Sequence, residues 1–103
     1  MRYITITTWE IDDGTDYHTA LQAIRDKRLP ALKGFGANSV TVIRTSDRTS
    51  AAITEWPDKA TRDAAELKIE EVRRKVHKED MSRMTGEMRG TIAWTDLGSL
   101  GAP

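Results

Sequence analysis

The chain carries 2 histidines, and proton transfer is the first chemistry to look for. His18 follows Tyr17 at the start of an expected helix. An imidazole titrating near about pH 6.5 can serve as general base at neutral pH. The positive end of the helix dipole disfavours the charged ring and would keep it neutral. Tyr17 and Tyr3 carry phenolic O–H groups able to donate to an enolate or phenolate oxygen. Trp9 and Trp56 close two expected strands. As parallel neighbours at one rim they would bracket a flat aromatic substrate, each offering an indole N–H; the same rings equally serve as packing. Arg44, in phase with Val40 and Val42, presents a fork suited to a carboxylate, or else reaches solvent or pairs with Glu55. His77 falls in a charge-rich stretch and is expected to be solvated.

Other chemistries lack their residues. There is no Cys, hence no thiolate ligand, thiol nucleophile or disulfide. The two histidines stand far from ligand spacing, and no metal or other cofactor is expected. Asp12, Asp13 and Asp16 read as a turn and helix cap rather than a cation loop. Gly34 and Gly36 lack the strand-before, helix-after context of a phosphate loop. Lys+Arg and Asp+Glu both number 16, so the formal charge is +0, against a nucleic-acid binder. Nothing apolar is long enough to span a membrane, and the N-terminus lacks a secretory apolar run, so the expected location is cytoplasmic.

The elements that must position these residues are legible along most of the chain. Arg2–Ile11 alternates β-branched and aromatic residues with Thr, a strand pattern. A turn cluster follows, with Thr15 or Asp16 as N-cap. Tyr17, Ala20, Leu21, Ile24 and Arg28 then form one stripe of a helix that Pro30 should end or kink. A second strand is expected over Asn38–Thr45 and a third over Ser50–Trp56. Asp58 caps a long helix from about Lys59 to about His77, with Ala65, Ile69, Val72 and Val76 as its apolar stripe. The Met81–Arg89 stretch is hard to assign, and Gly90–Asp96 reads as the fourth strand, with Ile92 and Trp94 towards the helices.

The order strand-helix-strand-strand-helix-strand implies a ferredoxin-like α+β domain over residues 1–97, with 98–103 a flexible tail. Strands one and three should lie at the centre of a four-stranded antiparallel sheet, with both helices on one face. The more apolar phase, Ile4, Ile6, Val40, Val42, Ala51 and Ile53, is expected under the helices. The opposite phase holds Tyr3, Thr5, Thr7, Trp9, Thr54 and Trp56 and almost no charge. An uncharged open sheet face implies a partner, so a homodimer through it is expected.

With the third strand ending Glu55-Trp56-Pro57-Asp58 before a long helix, and Leu29–Ala37 leading into strand two, the chain resembles the dimeric α+β barrel superfamily. Antibiotic-biosynthesis monooxygenases are among its members. The resemblance runs from Arg2 to about Asp96 and implies two sheets packed into a barrel, with a cleft in each subunit. It also implies an Asn four residues before the strand-three Trp in cofactor-free members; here that residue is Ala52. The His expected on the second helix of haem-degrading members is replaced by the Glu66–Leu67 zone, and strand one lacks their Asn. Of these positions, only Trp56 carries over.

Two functions follow as expectations. One is a cofactor-independent oxygenase or isomerase acting on a small planar apolar molecule, with Trp9, Trp56, Tyr3 and Arg44 binding it and His18 or Tyr17 handling a proton. The other is a non-catalytic dimer that binds a small apolar ligand.

Overall fold

A computed structural model describes residues 2–79 and 82–94, with side chains for 2–75 and 82–94. Strand β1 spans Tyr3–Ile11, and its odd-numbered residues are buried while its even-numbered ones are half-exposed. The Asp16 carboxylate then accepts the Thr19 N–H at 3.1 Å and starts helix α1, Tyr17–Ala23. The Arg48 guanidinium donates to the Ile11, Asp12 and Thr15 carbonyls, latching this turn to the hairpin across the sheet.

Pro30 does not end the helix. A π-helical segment, Ile24–Arg28, leads directly into α2, Leu29–Gly34, with Pro30 in its first turn. Proline lacks an N–H and its ring crowds the carbonyl four residues back, and one widened turn relieves both. The chain leaves through Gly36, whose φ of 110° favours glycine; a Cβ there would also meet Thr61 Cγ2 at 2.9 Å.

Strands β2, Ser39–Arg44, and β3, Thr49–Trp56, form a hairpin. Asp58 then caps α3, Lys59–Ala64, accepting the Thr61 N–H and O–H, both at 2.7 Å. A break at Ala65 separates α3 from α4, Glu66–Glu79. Strand β4 is Ser82–Thr91. It occupies the stretch that defied assignment, and the Gly90–Asp96 expectation was misplaced. Nine residues of β1 pair along it, from Ile11↔Ser82 to Tyr3↔Thr91. That ladder overrides the weak strand propensity of Gly86, Gly90 and the charged residues between. Trp94 lies beyond the strand and is 67% exposed, so it does not face the helices. The side chain of His77 and the tail 98–103 lie outside the described residues.

The sheet order is β2-β3-β1-β4, with β1 and β3 central as expected, and every pairing is antiparallel. The expectation that β1 and β3 run parallel fails, because β3 returns from β2 through a tight hairpin. In register, Trp9 faces Ser50 and Trp56 faces Tyr3. Their strand positions share a face and lie six residues apart, about 20 Å of strand, while their N–H groups lean inward to Thr7 and Thr5.

The phase of the sheet is also the reverse of the expected one for β1 and β3. Tyr3, Thr5, Thr7, Trp9 and Ile11 are buried together with Ser50, Thr54 and Trp56. Tyr3 and Trp56 pack with Ala37, Ala65 and Ile69 in the main core, flanked by Leu32, Phe35 and Val40. Ile4, Ile6 and Ile53 lie on the other face, half-buried. Counting methyl groups favours isoleucine under the helices, but volume decides: indole and phenol rings fill the gap between sheet and helix. Among the described residues no helix is long and apolar enough to cross a membrane.

Candidate functional site

Between the sheet and the helices lies a cavity of about 60 Å³ of water-accessible space. Its floor is the sheet face bearing Thr5, Thr7, Ala52 and Thr54, and Trp9 and Trp56 stand in its wall. At roughly 10–15 Å³ for each water, it holds about five, the space of one aromatic ring.

The indoles are anchored from within β1. Trp9 Nε1 donates to Thr7 Oγ1 at 2.8 Å, and Trp56 Nε1 donates to Thr5 Oγ1 at 3.3 Å. Each threonine oxygen is thereby an acceptor already, which leaves its own O–H as a donor. At the Trp9 end, Ser50 Oγ is buried without a hydrogen-bond partner among the described residues.

The helices contribute charge. Arg28, Arg62 and Arg73 all line the cavity. Arg62 is 1% exposed and pairs with Glu66, yet its Nη2 has no partner among the described residues. That hydrogen bond holds the Glu66 carboxyl below its usual range despite some desolvation, and Arg89 adds a second contact at 3.4 Å. Arg73 donates to Glu87 at 2.6 Å. The Arg28 guanidinium lies 3.8 Å over the Trp9 ring, and its Nη2 reaches Ser82 Oγ at 3.4 Å. Burial, and then the charge of Arg73, push the Arg28 pKa down to about 10.

The residues singled out from the sequence divide between this cavity and other places. Trp9 and Trp56 both line it, reaching in from strand positions six residues apart. Tyr3 is buried beside Trp56 in the core. Tyr17 sits in a separate cluster with Ile11 and Ala20, its hydroxyl on the Thr49 carbonyl at 3.3 Å. His18 is exposed, with its Nε2 3.4 Å from Gln22 Nε2. Arg44 stacks over Tyr17 at 4.0 Å and donates to the Ser46 and Asp47 carbonyls; it is Arg2 that pairs with Glu55, at 3.1 Å. His18, Tyr17 and Arg44 therefore stand apart from the cavity lining.

The lining arginines escaped sequence reasoning, although a signal existed. Arg28 continues the Tyr17–Ile24 stripe, and Arg62 and Arg73 continue the Ala65–Ile69 stripe. A cation on an apolar stripe is a buried or half-buried cation. Among the described residues no group of His, Asp or Glu could hold a metal ion.

An antiparallel four-stranded sheet, helices on one face and a cavity between them define a ferredoxin-like α+β fold. No protein-family model matches the chain, and no curated protein does. Solved structures do share its fold. SnoaB from Streptomyces nogalater, a cofactor-independent oxygenase solved as a point mutant, superposes with a TM-score of 0.72 at 12% identity, over 92% of this chain and 96% of that one. Protein YJCS, a structural-genomics target, gives 0.67 at 12% identity, over 89% and 99%. NE2512 of Nitrosomonas europaea, of unknown function, gives 0.62 at 16% identity, over 94% and 96%. At such identities the likeness is one of fold.

Proposed function

We propose that this protein is a homodimer whose subunits each bind a small planar molecule between sheet and helices. The cavity carries this reading. It is about the size of one ring, with two anchored indoles in its wall and threonine hydroxyls on its floor. Flat faces bind flat ligands, and the hydroxyls give ring oxygens a donor.

The second reading is catalysis without a cofactor, as an oxygenase or isomerase. The fold shared with SnoaB supports it. The cavity wall bears no carboxylate or imidazole among the described residues, so such chemistry would suit a substrate that reaches the site already ionised.

The dimer rests on the other sheet face. Met88, Ile6, Ile53 and Thr41 form one row straight across the four strands, and Gly86, Thr8, Ala51 and Ile43 form the next. Ion pairs flank these rows, Arg2–Glu55 at one end and Glu10–Arg83 at the other, both 3.1 Å. An apolar centre with a charged rim is the anatomy of a subunit interface.

Phenol titration tests the ligand. It should shift the indole N–H resonances of Trp9 and Trp56 and leave exposed Trp94 unmoved. Equal movement of all three, or of none, overturns the cavity reading. Oxygen uptake with hydroquinone, compared with protein-free buffer, separates oxygenase from binder.

A further inference from the structure

Arg28 is a half-buried cation at the cavity wall, with no carboxylate counter-ion among the described residues. Arg62 has Glu66 and Arg73 has Glu87, but among the described residues no carboxylate pairs with Arg28. Its neighbours are an indole face, a serine hydroxyl and a second guanidinium. Cation–π attraction and one long hydrogen bond offset only part of the cost of desolvating a full charge. Arg73 adds repulsion instead of relief. A fold that keeps such a group at a cavity wall leaves space for an anion to complete it.

Cations outnumber anions in the described lining next to this end. An open groove of about 640 Å³ shares Trp9 and Arg73 with the cavity. Its described lining also includes Arg74, Lys75 and Arg83, against Glu71 alone. A basic approach raises the local concentration of anions and speeds their arrival.

We propose that the Trp9 end of the cavity is a carboxylate subsite, and that the ligand is a single-ring aromatic acid. The carboxylate sits on the Arg28 guanidinium, with the ring over the threonine floor. The guanidinium fork suits a carboxylate in two parallel hydrogen bonds. The Trp9 ring face, 3.8 Å away, helps to hold the guanidinium at the wall. This deepens the ligand reading above and rests on it.

Benzoate and benzamide form a matched pair of probes, equal in shape and differing in charge. Calorimetric titration of the whole chain should show benzoate binding at least tenfold more tightly than benzamide. Arg28→Met should bring the two within twofold of each other, chiefly by weakening benzoate. Because the variant removes an uncompensated charge and keeps an apolar stem, its melting temperature should rise. Arg28→Gln, which retains hydrogen bonding but not charge, serves if the methionine variant fails to fold and should also erase the preference. Benzamide binding as tightly as benzoate, or a preference that survives both substitutions, overturns the subsite and leaves the cavity reading standing. If neither probe binds, both fall together.

Discussion

Trp9 Nε1 donates to Thr7 Oγ1 at 2.8 Å, from two residues further along the same face of the same strand. The pair is repeated across the sheet as Trp56 on Thr5, at 3.3 Å. In each, a hydroxyl makes burial of the indole N–H tolerable, and the indole fixes that hydroxyl as an acceptor.

Thr7→Val keeps the shape and removes the acceptor. The Trp9 N–H would remain buried and unpaired, at a cost of about 1–2 kcal/mol. Urea unfolding should show this loss, and the Trp9 indole N–H resonance should move upfield while that of Trp56 stays in place.

Trp56 is 0% exposed and packs in the main core. Trp56→Ala should cost about 3–5 kcal/mol, a large share of the stability of a domain this size. Trp56→Phe retains most of the contact and should lose markedly less. Chemical denaturation of the two variants reads the difference.

Glu66 is the counter-ion of buried Arg62. Its folded pKa lies below the unfolded value of 4.5, so its contribution is full above that pH and is lost as pH falls through the folded value. Glu66→Gln should destabilise by about 2 kcal/mol at pH 7, less than a fully buried pair because Glu66 is partly exposed. Melting temperatures from pH 7 to pH 3 should converge for wild type and variant at the acid end. A gap constant with pH would contradict the ion pair.

Ile53 lies at the middle of the open sheet face, opposite Ile6 and Thr41. Ile53→Lys should turn a dimer into a folded monomer in light scattering, with far-ultraviolet circular dichroism unchanged. A wild-type monomer would remove the interface.

These substitutions also trace what could be read in advance. Asp16 and Asp58 cap their helices as expected, because capping depends on a side chain and amides three residues away. The order of elements and the central β1–β3 pair followed from alternation and connection rules. The cavity was harder to see. Trp9 and Trp56 were visible as candidates, but their separation depends on the antiparallel register, which couples residues more than forty positions apart.

What the sequence alone determined was therefore local: strand alternation in β1 to β3, the helix caps, and the ferredoxin-like order that these impose. The tertiary structure decided the rest. It drew Ser82–Thr91 into β4, since an unpaired edge of β1 demands a ladder whatever the propensity of its partner. It turned the threonine and tryptophan face inward, since ring volume rather than hydropathy fills the space beneath a helix. It gathered Arg28 from the π-helical turn, Arg62 from α3 and Arg73 from α4 around one cavity. No local pattern encodes that meeting, because the three side chains reach one cavity only after the helices have packed on the sheet.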